Sequence, residues 1–512
     1  MQKNVLEYLE AAAAAYPEKI VFADNKTELS YAEFTDRAKR LGCGLLERLG
    51  AGWRRNPVAV LIDRSVQPLI SFFGVVYSGN FYVPVDRKMP QERIRLILDT
   101  LDAGVLIAEK KDGRFLEQLQ YDGEVFYQEE LLESEVNQEV LDLAARYQLD
   151  TDPLYAIFTS GSTGVPKGVL VAHRSVIDLA DQFRKEFGFD ETAVFGNQAP
   201  FDFDVSVKDI MSTIRNQATM YVIPQVMFSF PAKLIQYLNE KKINTIIWAV
   251  SALRIIENLK GFASEVPQYL RMIMFSGEVM SVKVLNYWRT YFPKAQFVNL
   301  YGPTEITCNC TFYKVDREFA EDEVIPVGIP FENSSVFLLD GDRLVTKPGE
   351  MGEICVRGTC LALGYYNNPE KTAESFCQNP LNHAYPERIY RTGDIGRYDS
   401  SGQLVFASRK DAQIKHMGHR IELGEIEAAV NALELLDAGV CIHIGEDIVL
   451  CYQAGQPSER EILRALGKKL PKYMLPTKLL WYQALPVNKN GKIDRVRLRT
   501  EIENGTTNSI KN

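Results

Sequence analysis

Residues 158–169 read FTSGSTGVPKGV, the end of an apolar strand running into glycines and hydroxyls with one lysine. Ser160, Ser162 and Thr163 offer hydroxyl donors. Gly161 and Gly164 let main-chain N–H groups approach an anion, and Lys167 adds positive charge. Together these residue types suit the grip of a phosphate. The spacing is not that of a Walker A loop, in which GxxxxGK[ST] opens a helix. Here Lys167 follows Pro166 and precedes Gly168, and strand-like VLVAH comes next. The stretch predicts a flexible phosphate-gripping hairpin between two strands. A plain Gly/Ser turn would draw on the same residues.

Other chemistry-bearing stretches follow in order: FDVSVKDI (203–210), NLYGPTE (299–305), GEICVRG with LGYYNNPEKTAESF, YRTGDIGRY (390–398), SRKDAQIKHMGHRIELGEIE (408–427) and LPVNKNGKIDR (485–495). With the opening loop, which fits [YF]TSGSTGxPKG, this series resembles the adenylate-forming enzymes. That superfamily contains acyl-CoA synthetases, firefly luciferase and the adenylation domains of nonribosomal peptide synthetases. The resemblance runs over nearly the whole chain. It implies two half-reactions: a carboxylate attacks the α-phosphorus of ATP to give an acyl-adenylate and pyrophosphate, and a thiol then takes the acyl group as a thioester. The first step gathers anions, so it calls for preorganised positive charge and N–H donors.

The resemblance assigns roles residue by residue. Lys492, in NKNGKIDR, is the catalytic lysine that reaches the substrate carboxylate and α-phosphate; Lys489 reads as a solvated neighbour. Thr304 contacts the α-phosphate, and Glu305 is the magnesium ligand, a carboxylate beside phosphate oxygens. Thr159, Ser160, Gly161, Ser162, Thr163 and Lys167 hold the ATP phosphates. Asn299 lies at the adenine edge, Tyr301 stacks on adenine, and Gly302 with Pro303 fixes the turn. Asp394 binds the ribose hydroxyls, Arg409 touches ribose or phosphate, and Asp411 is a hinge. The family usually has Gly-Arg where this chain has Ser408-Arg409. Arg391 and Lys415 read equally well as surface salt-bridge partners.

Asp204, in FDVS, matches the aspartate with which peptide-synthetase adenylation domains hold a substrate α-ammonium. A buried aspartate at a pocket mouth needs a cationic partner. Asp202, read as lying on the same strand face, is its rival. Carrying over the specificity positions gives a pocket of Asp204, Val205, Lys208, Ile247, Met274, Ser276, Gly277, Leu300, Cys308, Asn309 and Lys492. Val205, Met274 and Leu300 also suit core packing. Lys208 pairs with an acidic substrate side chain or snorkels away from the pocket. The expected substrate is a small or polar α-amino acid, with aspartate and glutamate open. No carrier segment follows Lys492, so the chain reads as a free-standing adenylation enzyme loading the phosphopantetheine arm of a carrier protein in trans. Three alternatives stand beside this reading: a D-alanine–carrier protein ligase, an acyl- or aryl-CoA ligase, and a non-catalytic nucleotide-binding homologue.

The elements that must position these residues are legible as short apolar strands alternating with helical patterns. PVAVLI (57–62), FYVPV (81–85), AGVLIA (103–108), LYAIF (154–158), ATMYVI (218–223), TIIWAV (245–250) and RMIMF (271–275) are strand-like; 30–50 and 90–101 are helical. This predicts α/β layers with largely parallel sheets. After Glu323 the strands VGIPF, SVFLLD, GEICVRG and GQLVFAS predict a β-rich subdomain. The fold expected is α/β: a large N-terminal domain over 1–410, with two α/β subdomains and the β-rich one, and a small mobile α+β domain over 411–512.

Composition bounds the rest. In 512 residues, 46% are hydrophobic and 24% charged, as in globular chains, and the net charge of −9 argues against a nucleic-acid partner. The eight cysteines are scattered, and CxC at Cys308 and Cys310 lacks a second cluster for zinc, so reduced thiols are expected. The N-terminal stretch carries Glu7, Glu10 and Glu18, an amphipathic helix and not a signal peptide. A cytoplasmic monomer without a membrane span is expected.

Overall fold

A computed structural model describes residues 2–161, 164–410, 413–433, 435–455, 458–487 and 493–505. Ser162, Thr163, Asp411, Lys489 and Lys492 lie outside the described residues. Contacts divide the chain into two units. One comprises Met1–Asp86, Leu101–Ile157 and Gly168–Lys410; the other comprises Arg87–Thr100, Phe158–Lys167 and Asp411–Asn512.

Among the described residues, the alternation of apolar runs and helices in the first unit resolves into two α/β sheets. In the nine-stranded sheet, Gln296–Tyr301, Met272–Ser276, Thr245–Ala249, Val194–Asn197, Thr219–Val222 and Ile20–Ala23 run parallel in that order. In the seven-stranded sheet, Pro153–Thr159, Phe81–Asp86, Pro57–Ile62, Val105–Ala108 and Glu124–Tyr127 are parallel neighbours. Pro57–Ile62 is buried at every residue, as a parallel strand covered on both faces must be. The helix Tyr31–Leu49 starts where its sequence says it should. Ser30 Oγ accepts from Glu33 N, and Glu33 Oε2 accepts from Ser30 N, a reciprocal cap.

The β-rich part is a six-stranded antiparallel sheet ordered Arg343–Val345, Ser334–Asp340, Met351–Gly358, Arg388–Tyr398, Phe376–Gln378, with Leu404–Arg409 also paired to Arg388–Tyr398. VGIPF reaches both sheets: Gly328 bridges Leu404 of this one, and Ile329–Pro330 pairs with Thr311–Lys314 at the edge of the nine-stranded sheet. Phe331 anchors the segment: its ring packs against Phe312 and Phe183, at 4.8 and 5.5 Å between centroids.

In the second unit the hairpin Gln413–His416/His419–Glu422 leads into the helix Leu423–Asn431. A second hairpin, Ala438–Ile444/Asp447–Gln453, is joined by parallel Lys478–Trp481. Ile421, Ile426, Val430, Leu450, Ile462 and Leu466 form its core. The closing helix Arg495–Glu503 carried no apolar periodicity, since Leu498 is its one buried residue; Asp494 caps it by accepting from Arg497 N. Among the described residues no helix is long and apolar enough to cross a membrane.

Candidate active site

The pocket face follows from period-two alternation. In the parallel register, Ile247 lies beside Met274, and Ser276 beside Leu300. Ile247, Met274, Val298 and Leu300 enter one core with Val207, Ile210 and Met211 of the helix Val205–Arg215. Their neighbours Ile246, Ile273, Phe275 and Phe297 enter a different core with Trp248 and Trp288. The expected pocket residues of these three strands therefore share one sheet face. Asn299 alternates to the other side, where its amide donates to the Pro326 carbonyl at 2.8 Å.

Residues 201–204 form turns that lead into the helix, so Asp202 and Asp204 do not share a strand face as the sequence suggested. Asp202 sits instead in the field of Arg64, which bonds the Asn197, Ala199 and Ile223 carbonyls. Asp204 stands immediately before Val205, and Lys208 follows one helical turn on. Thr304 lies beside the Asp204 carboxylate, and Lys208 and Glu305 are its charged neighbours. Burial pushes the Asp204 carboxyl up; Lys208 and Thr304 oppose that shift. Lys208 is 1% exposed, and its ammonium donates to Ser276 Oγ at 3.0 Å and Asn309 Oδ1 at 2.9 Å. Burial lowers its pKa, partly offset by Cys308, Asp204 and Asp209. Lys208 is thus enclosed rather than snorkelling.

The stretch 301–309 folds tightly over this ground. A Cβ at Gly302 would lie 2.6 Å from the Cys308 carbonyl oxygen, so only glycine fits. Thr304–Ile306 makes one 3₁₀ turn, after which Thr307 and Cys308 both take positive φ, 56° and 70°. A β-branched residue there is strained, and Thr307 is held by donating to the Cys360 carbonyl. Cys308 Sγ donates to the Asp204 main-chain oxygen at 3.0 Å. Burial, then Asp204, pushes this thiol well above its ordinary pKa, making it an S–H donor and not a nucleophile. Glu305 is fully buried and accepts the Tyr365 hydroxyl at 2.7 Å, a partner the sequence did not reveal. Gly277 takes φ +93° just beyond Ser276, and Val205 opens the helix half-buried.

A second cluster joins two sheets of the same unit. Tyr301 ends its strand and donates through its hydroxyl to Asp394 Oδ2 at 2.6 Å, while Arg409 donates to Asp394 Oδ1. Cross-strand pairing sets Arg409 directly opposite Asp394. Burial, then Asp394, drives the Tyr301 phenol well above its ordinary pKa, keeping it a donor. Arg391, by contrast, pairs with Asp342 and Glu353, the structural role left open for it. Lys415 lies on its hairpin opposite Arg420.

Within the second unit, Ser160 and Gly161 of the turn that begins at Phe158 are engaged. Ser160 Oγ donates to the Arg420 carbonyl and accepts from Glu422 N, at 2.9 and 3.0 Å. Gly161 N donates to Glu425 Oε2 at 3.1 Å, and Lys167 lies 3.9 Å from Glu422. Glu425 also pairs with Arg93, and both are buried. A carboxylate oxygen of the chain itself thus occupies the Gly161 N–H. Thr159 Oγ1 is buried with no hydrogen-bond partner among the described residues. Arg93, Glu422 and Glu425 were missed in the sequence; the acidic GEIE run was the available signal.

With this geometry in hand, likeness to known proteins can be read. The AMP-binding enzyme family model matches residues 9–366. Tyrocidine synthase 1 of Brevibacillus parabrevis is 30% identical over 508 residues, 97% of this chain. This chain spans only 45% of that relative's length. The Vibrio cholerae adenylation domain AlmE, solved with glycyl-adenosine-5′-phosphate, superposes with a TM-score of 0.84 at 20% identity, covering 98% of each chain. Holo-PA1221, an NRPS protein containing adenylation and PCP domains, gives 0.80 at 23% identity, over 98% of this chain and 84% of that one. At these identities the structures carry the fold: the α/β core with its β-rich sheet is that of an adenylation domain. The family match spans most of the chain, including the phosphate turn, the Asp204 helix and the 301–309 loop, and the chain belongs to the AMP-binding enzymes.

Proposed function

We propose that this protein adenylates an α-amino acid at its carboxylate and passes the aminoacyl group to the phosphopantetheine thiol of a carrier protein. The observation that carries this reading is Asp204: a carboxylate over the pocket face, with Thr304 and Lys208 beside it and no ion pair among the described residues. An ammonium is the ligand such a group calls for. An acyl- or aryl-acid pocket has no use for it.

In the first step a substrate carboxylate oxygen attacks the α-phosphorus of ATP. The new O–P bond forms as the bond to pyrophosphate breaks. Asp204 holds the ammonium, and Thr304 contacts the α-phosphate. The turn at 158–167 grips the β- and γ-phosphates through Thr159, Ser160, Gly161, Ser162, Thr163 and Lys167. Tyr301, Gly302 and Asn299 frame the adenine, and Asp394 with Arg409 takes the ribose. The buried Thr159 hydroxyl without a partner and the oxyanion on Gly161 N support a phosphate there. Lys492 neutralises the charge building between carboxylate and α-phosphate. Magnesium is commonly held by one or two carboxylates plus substrate phosphates, and Glu305, buried and oriented by Tyr365, fits that use. When bound, the ion would neutralise phosphate charge.

In the second step the carrier thiol attacks the acyl carbon, a C–S bond forms, AMP leaves, and the thiol proton goes to solvent. Two adenylation–carrier proteins, one the NRPS-type holo-PA1221, share the fold and support a carrier as acceptor.

Amino-acid-dependent exchange of labelled pyrophosphate into ATP tests this reading. Exchange is expected with an α-amino acid and not with its deamino analogue. In Asp204→Ala the amino-acid KM should rise, by roughly 3–5 kcal/mol if the contact is fully buried, with the ATP KM little changed. Exchange with deamino acids alone would refute it and favour a CoA ligase.

A further inference from the structure

The ammonium of Lys208 is the most unusual charge in the molecule. It is 1% exposed, and a lysine is rarely so enclosed without an anionic partner. Its hydrogen-bond acceptors are the neutral Ser276 hydroxyl and Asn309 amide oxygen. An ammonium has three donors, so one N–H remains to be met. No carboxylate touches it among the described residues.

The two carboxylates in its field are otherwise disposed. Asp204 lies one helical turn back, beside Thr304, and is committed to the proposed ammonium site. Asp209 is fully buried, accepts from Asn197 Nδ2 at 2.8 Å, and has its pKa raised to about 7 by burial. Neither cancels the Lys208 charge once a substrate ammonium occupies Asp204. The substrate ammonium and Lys208 then share Asp204 and the partly titrated Asp209, and the substrate's own α-carboxylate has become the uncharged acyl group of the adenylate. The balance is restored if the substrate brings a second anion.

We propose that the side chain of the amino acid is itself acidic, its carboxylate taking the third N–H of Lys208. This deepens, and rests on, the reading of Asp204 given above. The spacing supports it: side chains at i and i+4 on a helix have Cβ atoms about 5–6 Å apart, a span one small amino acid can bridge with its ammonium at one end and its side-chain carboxylate at the other. Ser276 and Asn309 hold the ammonium in place from the far side. Ile247, Met274 and Leu300 supply a dry wall that strengthens the ion pair.

The test is pyrophosphate–ATP exchange by the wild-type chain across matched sets: both enantiomers of aspartate and glutamate, their amides, the isosteric aliphatic amino acids, serine and alanine, and the deamino diacids. The expected result is kcat/KM for an acidic amino acid exceeding its amide on the order of 100-fold or more, because the amide leaves a buried charge unmet. Lys208→Met should erase that preference while retaining a folded melting transition. Strong exchange with a neutral amino acid, at least equal to its acidic counterpart, overturns the role of Lys208 and leaves the Asp204 reading standing. Exchange with deamino diacids in place of amino acids, or with no acid at all, overturns both. The wild-type comparison decides the question even if the variant fails to fold.

Discussion

The Tyr301 hydroxyl donates to Asp394 Oδ2 at 2.6 Å, tying the C-terminal end of a parallel strand to the middle of the antiparallel sheet. Arg409 holds the other carboxylate oxygen from the neighbouring strand. Asp394 is 1% exposed, so the loss of either donor leaves a buried anion short of a partner. Tyr301→Phe should therefore cost about 1–3 kcal/mol of stability in urea denaturation. Under the nucleotide reading it should also raise the ATP KM while sparing the amino-acid KM. An unchanged unfolding midpoint with an unchanged ATP KM would show that this bond neither stabilises the fold nor shapes the ribose site.

Asp209 makes a prediction about pH. Its carboxyl is buried, and its pKa is raised from 3.8 to about 7, with Asn197, Lys208 and Arg64 only partly compensating. The folded state thus binds a proton that the unfolded state has already released between those values. Stability must fall as pH rises through that window, since the unfolded chain binds fewer protons there. The contribution is roughly 4 kcal/mol, at about 1.36 kcal/mol per pH unit. Asp209→Asn should be insensitive to this effect, so the difference in unfolding free energy between variant and wild type should grow from pH 5 to pH 8 in the variant's favour. A constant difference would mean that Asp209 is ionised in the fold at all these values.

Lys492→Ala separates the two half-reactions. If Lys492 neutralises charge only in adenylate formation, its loss should slow pyrophosphate exchange on the order of 10²–10³-fold, the cost of one preorganised donor. Transfer from a supplied aminoacyl-adenylate to a carrier thiol should be far less affected. Equal losses in both assays would assign Lys492 to a shared structural role.

How much of this was legible follows from how local each signal is. The strands 57–62 and 245–249 were readable because burial on both faces demands an unbroken apolar run. Ile247, Met274, Ser276 and Leu300 came from the family resemblance; that they share one sheet face follows from the register of adjacent strands. What failed was non-local or conformational. The turn before Val205 looked like a strand because Phe201 and Phe203 flank Asp202, yet their alternation serves a helix entry. VGIPF pairs with Leu404 of the β-rich sheet through Gly328, and its second pairing, Ile329–Pro330 with Thr311–Lys314, lies beside an aromatic cluster assembled from distant segments. Sequence left Lys208 undecided between pairing and snorkelling. Its enclosure depends on Ser276 and Asn309, 68 and 101 residues away.

The buried pair of Arg93 and Glu425 illustrates the same point and can be measured. Arg93 is 4% exposed and Glu425 2%. Burial pushes the Glu425 carboxyl up; Arg93 and the Gly161 N–H pull it back. Removing one partner of such a pair strands a charge, at a cost of about 3–5 kcal/mol, whereas replacing both with apolar residues is often neutral. Arg93→Met should thus destabilise this unit strongly, and Arg93→Met with Glu425→Leu should recover most of the loss. The recovery should be incomplete, because Gly161 N then loses its acceptor. Phosphate or pyrophosphate, if the turn binds oxyanions as proposed, should stabilise the double variant more than wild type, since the ion no longer competes with Glu425. Equal stabilisation of both proteins in thermal melts would show that Glu425 does not stand where the phosphate binds.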